Sequence, residues 1–300
     1  MKLKTFKQKL KNGKFLITTE ISSPKGTNFI KQIKEIEVLE GFVDAVNICD
    51  CPMANMRMSP IAMAKIITES TGMETIPHFT CRDRNIIGLQ SELLGAWALG
   101  IKNVLAITGD PPTKGDHPGA SGVFDLDSKG LVKLVKGLNQ GRDHSGNMLE
   151  GATDFTIGVV ANPCAEDLNA EIEKLAAKIE AGADFIQTQP VYEEHTLYNF
   201  LEKVEPFNIP VLIGILPLKS YKMAVNFNEK VEGINIPLAV IDRMKKGPEE
   251  GIKISIEFIR KIISRVNGIH LMPLGNYRLV KQIITQLGIS KDRNVLHGVI

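Results

Sequence analysis

The sequence predicts a single (β/α)8 TIM barrel over residues 1–300, and three observations predict it. Eight apolar runs recur along the chain, each passing into polar residues with a proline close by: FLITTEISSP, FVDAVNICDCP, ETIPHFTC, VLAITGDPP, FTIGVVANP, DFIQTQP, VLIGILP and GIHLMP. Stretches of helical periodicity lie between them. Most run ends fall about 30 residues apart, the length of one βα unit. In a closed barrel all strand ends share one face, and the chemistry is done there. Glu20, Asp50, His78, Asp110, Asn162 and Gln189 stand at or just beyond strand ends and become the candidates for a site.

The first strand, roughly Phe15 to Ile21, is rich in β-branched residues and leads to an amphipathic helix near Asn28 to Leu39, with Phe29, Ile30, Ile33 and Ile36 on one face. Strands two, three and four end near Cys49, Thr80 and Gly109; their helices run about Pro60 to Ser70, Ile86 to Leu99 and Ser128 to Leu138. Two intervals exceed the unit length. The first opens with DPPTKGDHPGASGVFDLDS, a Gly-, Pro- and Asp-rich stretch that reads as a long functional loop over the barrel mouth. The second, from Leu216 to Met272, leaves room for extra helices between strands seven and eight, near Tyr221 to Val231, Pro237 to Lys246 and Glu249 to Val266. No linker, low-complexity tract or shift in composition marks a second domain.

With 43% hydrophobic and 23% charged residues, the chain is an ordinary globular protein, large enough to bury its core without staples. A formal charge of +2, spread among both signs, points to neither nucleic acid nor a membrane surface. No uninterrupted apolar segment follows the basic start, and no run approaches a spanning length, so a cytoplasmic protein is expected. Cys49, Cys51, Cys81 and Cys164 read as free thiols, and their spacing with His78 matches no structural zinc signature, so no metal is expected.

Each candidate has a plain reading beside the functional one. Glu20 in ITTEISSP is a carboxylate in a strand; partly desolvated, it would have a raised pKa and hold a proton near neutrality, as a general acid must. Otherwise it is a strand-end glutamate or part of an ion pair. His78 in IPHFTC is a ligand contact or a satisfied core histidine, and Arg82 and Asp83 just after it read as paired with each other. Asp110 in AITGDPP follows a flexible glycine and precedes two prolines that set the loop direction, so it is a ligand contact or a simple turn. Gln189 in FIQTQPVY offers donor and acceptor to a heterocycle edge, while Gln187 points away or lies one layer down. Tyr192 and Tyr221 follow strands six and seven, with core packing as the default. No strand end carries a lysine for Schiff-base chemistry; Lys178 lies in a helix. No GxGxxG follows a strand, so a nucleotide cofactor would be held by the barrel mouth.

In their order, TEISSP, PHFTC, ITGDPP, GADFIQTQPVY, GILPLKSY and HLMPLGNYRLVKQIITQLGI resemble the methylenetetrahydrofolate reductases, flavin-dependent barrel enzymes of one-carbon metabolism and methionine biosynthesis. The resemblance covers essentially the whole chain. It implies FAD at the mouth, reduced by NADH or another nicotinamide and reoxidised by 5,10-methylenetetrahydrofolate, which becomes 5-methyltetrahydrofolate. Glu20 matches the acid that protonates the bridging nitrogen of the folate and opens its ring to an iminium; Asp110 matches a carboxylate near flavin and pterin. Gln189 and Tyr221 match folate-side residues, and His78, Glu171 and Lys178 match FAD contacts, with Lys178 at the phosphates. Two positions depart from the family pattern. Thr108 stands where well-known members have arginine, and Asn162 where they have tyrosine. An electron-donating partner subunit is therefore the alternative to NADH. The expected protein is an oligomer of catalytic barrels without a regulatory domain. The rival outside the family is a metal-assisted lyase or hydrolase using Glu20, His78 and Asp110.

Overall fold

In the computed structural model, which describes residues 5–231 and 233–289, eight parallel strands close into a barrel in sequence order. They are β1 (Leu16–Ser22), β2 (Ala45–Cys49), β3 (Thr75–Thr80), β4 (Asn103–Ile107), β5 (Thr156–Ala161), β6 (Phe185–Pro190), β7 (Val211–Ile215) and β8 (Gly268–Leu271). β8 returns to β1 with Leu16 opposite Gly268 and Thr19 opposite Leu271. Outward residues such as Ile17, Val46, Phe79, Val104, Ile157, Ile186, Ile213 and Ile269 form the main core with the surrounding helices.

The helices are α1 (Phe6–Lys11), α2 (Ile30–Glu37), α3 (Pro60–Thr71), α4 (Ile86–Ala98), α5 (Ser128–Asn139), α6 (Leu168–Ala181), α7 (Glu194–Val204), α8 (Tyr221–Lys230), α9 (Leu238–Arg243), α10 (Glu249–Ile262) and α11 (Tyr277–Gln286). Their starts follow side-chain chemistry. Ser59, Asn85, Asp127 and Asp167 each accept a backbone N–H of the first turn of α3, α4, α5 and α6. α8, α9 and α10 fill the long interval before β8, as the sequence predicts. They build a small second core of Leu218, Ala224, Ile236, Ile241, Met244 and Ile254. No helix among the described residues is long and apolar enough to cross a membrane.

The periodicity reading assigns no helix before β1, yet α1 forms there, behind a Thr5/Gln8 capping box. Its buried Phe6 and Leu10 close the N-terminal end of the barrel against Leu16, Ile76, Leu105, Phe185 and Leu212, and the Phe6 ring meets Phe185 edge-on at 5.3 Å between centroids. Gly158 leaves the room that Phe185 needs, since a Cβ there would come within 2.4 Å of its ring. Apolar side chains therefore block one end of the barrel, and the polar ones gather toward the other.

Candidate active site

Above the apolar plug, the inward positions turn polar. Thr18 and Glu20 on β1, Asn47 and Cys49 on β2, His78 on β3, Gln187 and Gln189 on β6 and His270 on β8 follow the period of two that puts alternate residues on one face. Asn47 and Gln187 form a reciprocal amide pair: Asn47 Nδ2 donates to Gln187 Oε1 at 2.8 Å, and Gln187 Nε2 donates to Asn47 Oδ1 at 3.2 Å. The second amide proton of Asn47 points at His78 Nε2, 3.1 Å away, and that of Gln187 at Thr18 Oγ1, also 3.1 Å away. The Thr18 hydroxyl is left to donate to His270 Nδ1 at 2.9 Å. With both amides oriented this way, their partners dictate the tautomers: His78 carries its proton on Nδ1 and His270 on Nε2.

Glu20 sits at the top of this network, its side chain 22% exposed, with Oε2 3.6 Å from His270 Nε2. The Cys49 thiol donates to the same oxygen at 3.8 Å. Here the structure corrects the expected raised pKa. Burial does push the Glu20 carboxyl up, but the facing His270 ring, joined by His78 and the Cys49 thiol, outweighs it and holds the carboxyl below its ordinary value. The opposite happens to His78. Burial pushes the imidazole down to about 4, against the pull of the Glu20 charge, so it is neutral at pH 7.

This depressed histidine makes a stability prediction. Between pH 6.5 and about 4 the unfolded chain binds a proton at this position that the folded chain refuses, so stability falls as pH drops through that window. Discounted for its partial exposure, the effect is about 2 kcal/mol. His78→Gln is expected to flatten the urea-midpoint profile between pH 7 and 4 relative to the parent; identical profiles would contradict the buried, neutral assignment.

The loops after β2, β3 and β4 rim one side of the mouth. Asp50 is buried and accepts from the Thr80 amide at 3.0 Å, the Thr80 hydroxyl at 2.9 Å and Arg84 at 2.7 Å, so it ties strand ends together. Arg82 pairs with Asp83 at 2.6 Å, which matches the plain reading of that dipeptide. Gly109 has φ +93°, and a Cβ there would lie 3.0 Å from Thr80, so the turn that presents Asp110 requires glycine. Asp110 is half-exposed, and no side chain among the described residues binds its carboxylate. The long loop beyond it folds back over the rim. Asp116 accepts from the Met56 amide and from Lys25, both at 2.9 Å, while the Val123 amide donates to Arg82 O at 2.7 Å. Cys51, Met53 and Ala54, all non-glycine residues at positive φ, cluster beside it, a concentration of strain of the kind found at functional rims.

On the β5 side, Lys178 of α6 is buried, and its Nζ donates to Val160 O at 2.6 Å; burial lowers its pKa. Glu171 accepts the Asn162 amide at 2.9 Å through one carboxylate oxygen. Thr108 accepts the Ser128 amide at the start of α5. Gln189 is exposed on an otherwise buried strand, with Gln187 one layer below on the same face. Tyr192 packs in the second core and donates to Leu216 O at 2.8 Å, the default reading for that ring. Tyr221 opens α8 and is 42% exposed, beneath the Lys245 ammonium.

The structure thus brings Glu20 and His78 into one network and sets Asp110, Gln189 and Tyr221 on loops and strand ends of the same face, while Glu171 and Lys178 approach from α6. Sequence reasoning misses Thr18, Asn47 and His270. The signal for them exists: each is a polar residue at an inward position of an apolar run, in LITTE, AVNIC and GIHL.

A sequence model of the methylenetetrahydrofolate reductase family matches residues 5–288. The 5,10-methylenetetrahydrofolate reductase of Pectobacterium carotovorum subsp. carotovorum is 28% identical over 245 residues, 77% of this chain and 75% of that protein. Methylenetetrahydrofolate reductase 1 of Schizosaccharomyces pombe is 27% identical over 243 residues, 77% of this chain but 38% of that protein. For methylenetetrahydrofolate reductase 2 of Saccharomyces cerevisiae the figures are 31% over 176 residues, 55% and 27%. The chain spans well under half the length of these two yeast relatives. Among solved structures, a tryptophan synthase from M. tuberculosis superposes with a TM-score of 0.53 at 11% identity, covering 94% of each chain. A 2,3-dimethylmalate lyase gives 0.50 at 10%, covering 96% of this chain and 88% of its own. At such identities the likeness is one of barrel fold. With its match running through all eight strands, the chain belongs to the methylenetetrahydrofolate reductase family.

Proposed function

We propose that this protein reduces 5,10-methylenetetrahydrofolate to 5-methyltetrahydrofolate, with FAD held at the barrel mouth and NADH as the electron donor. The observation that carries the reading is Glu20: a carboxyl at the open end of the barrel, held by His270 and Cys49. The residues fit FAD. Lys178 is a buried cation beside the end of β5, and the Asp110 carboxylate and Gln189 amide stand at the mouth without side-chain partners among the described residues. Lys178 would face the phosphates, Glu171 the ribose, and His78 and Asp110 the isoalloxazine. Once reduced by its donor, FAD would supply the hydride.

The chain's own residues do the rest. Gln189 and Tyr221 orient the pterin and its aminobenzoyl tail, and Glu20 delivers a proton to the bridging nitrogen, so that the five-membered ring opens to an iminium able to accept hydride. A carboxylate held ionised must first gain that proton. Substrate over the mouth removes water from Glu20 and strengthens the desolvation that already pushes its pKa up. The acid is thereby made at the moment it is needed.

The alternative donor is a partner protein. It is favoured by the segment after α8, where Gly233 lies so close to the Asn162 amide that a Cβ would approach it to 2.8 Å; this crowds the end of β5, where the chain departs from the family pattern. Anaerobic titration with NADH separates the two: bleaching of the flavin by NADH alone supports the nicotinamide, and bleaching only with a co-purifying protein supports the partner. Asp110→Asn is expected to weaken folate binding and slow flavin reduction by about tenfold each, the scale of one charge-assisted hydrogen bond. Unchanged kinetics would return Asp110 to an ordinary turn.

A further inference from the structure

A cavity of about 610 Å³ lies between α2 and α11, the helices that follow the adjacent strands β1 and β8. The function above makes no use of it. Lys31, Lys34 and Glu35 of α2 line one wall, Tyr277 and Arg278 of α11 the other, and Val38 adds an apolar surface. Three cations thus face one carboxylate, and Glu35 is already engaged by Lys31 at 3.8 Å. Lys34 and Arg278 have neither an ion pair nor a hydrogen bond to any side chain among the described residues. Arg278 also stands in the first turn of α11, where the helix dipole disfavours a cation, and no acidic residue or capping side chain answers it there. Tyr277 gives a second, independent sign of a ligand. It is 6% exposed and lines the cavity, yet its hydroxyl makes no hydrogen bond among the described residues. A buried phenol normally finds a partner.

We propose that this cavity binds the γ-linked glutamate chain of a polyglutamylated folate, with Lys34 and Arg278 on its carboxylates and the Tyr277 hydroxyl as a further donor. The assignment rests on the folate role proposed above. The cavity adjoins the mouth on the side of Tyr221. There the Lys219 ammonium donates to Leu274 O, which ties the loop before α8 to the loop that leads into α11. A tail passing Tyr221 therefore meets α11 next. The spread of the cations suits a chain rather than a compact anion. Lys31 and Lys34 lie one turn apart on α2 and Arg278 stands across the groove, so successive carboxylates can meet them in turn while Ile30 and Val38 receive the methylenes between. A phosphate would need its donors converged on one point.

Calorimetric titration of the FAD-loaded protein compares 5-methyltetrahydrofolate carrying one, three or five glutamates. A free γ-triglutamate peptide and inorganic phosphate are titrated as separate probes. Lys34→Gln combined with Arg278→Gln removes two charges from exposed positions and keeps the stems, and Tyr277→Phe removes the hydroxyl alone. Lys129→Gln combined with Lys133→Gln, on exposed positions of α5, removes the same charge away from the cavity.

The pentaglutamate is expected to bind about tenfold tighter than the monoglutamate, the sum of a few exposed ion pairs, with the advantage shrinking as salt is raised. In the Lys34/Arg278 double variant the ratio should fall to within about twofold, the loss expected when those pairs are removed. Tyr277→Phe should lower it by less, and the α5 pair should leave it at the parental value. Equal affinities for one and five glutamates in the parent, or an advantage that survives the double substitution, would overturn the proposal. An equal loss in the α5 pair would do the same, since net charge alone would then explain it. Phosphate that displaces the γ-triglutamate peptide at equal concentration would also overturn it and leave a simple anion site. Should no folate bind, the proposed function fails, while the peptide, expected to bind the parent weakly and the double variant not at all, still decides whether the cavity takes a glutamate chain.

Discussion

Glu20→Gln is expected to lose between about 100- and 10,000-fold in the rate at which methylenetetrahydrofolate reoxidises the reduced enzyme, the range assigned to one positioned general acid. Reduction of the flavin by its donor should stay within a few-fold of the parent, because that half-reaction transfers hydride and needs no proton at the bridging nitrogen. The amide fills the space of the carboxyl and can still accept from His270 and Cys49, so the barrel should be unharmed. Rapid-mixing absorbance of each half-reaction separately checks this. Equal losses in both halves would mean that the substitution disturbs the flavin site and that Glu20 is not the acid.

Lys178→Met should produce protein that folds normally but binds FAD about 100-fold more weakly, the worth of a charge-assisted contact to phosphate in a partly dry site. The two effects separate because Lys178 is a buried cation whose pKa burial lowers, so the charge itself costs the fold stability. Methionine retains the packing of the stem between α6 and β5 while removing that cost. A thermal midpoint equal to or above the parent's in FAD-free protein, with flavin lost on gel filtration, is the expected pair of results. Retention of FAD at parental affinity would move the phosphate site elsewhere.

Much of the architecture is legible in the sequence because a barrel repeats one pattern, and the strands are buried on both sides by residues chosen for that burial. The apolar runs from FLITTEISSP to GIHLMP coincide with β1 to β8, and the long interval before β8 holds the three predicted helices. α1 escapes notice because only Phe6 and Leu10 of its residues are buried, and the lysines around them dominate the local composition. Tertiary contact with the barrel plug, not periodicity, makes it a helix.

The site is legible in part for the same reason. Strand ends mark Glu20, His78, Asp110 and Gln189, since a polar residue where a strand meets the mouth stands out against its run. What a linear reading lacks is the company each residue keeps. Glu20 alone suggests a carboxyl with a raised pKa; beside His270, from the far end of the chain, it is lowered instead. In FIQTQP the sequence already sets Gln189 nearer the mouth than Gln187, and the Asn47 amide adds what a linear reading lacks: Gln187 is an interior strut, while Gln189 is left exposed. His270 and Asn47 matter only through hydrogen bonds that span several strands.

Hydride transfer from this barrel to methylenetetrahydrofolate is testable by one measurement that is independent of the donor. Purified protein loaded with FAD is reduced anaerobically with dithionite titrated to the endpoint, mixed with methylenetetrahydrofolate, and followed by flavin absorbance. The oxidised flavin spectrum is expected to return, with one equivalent of 5-methyltetrahydrofolate formed per flavin. Reduced flavin that persists in the presence of saturating folate, or protein that takes up no FAD, would contradict it.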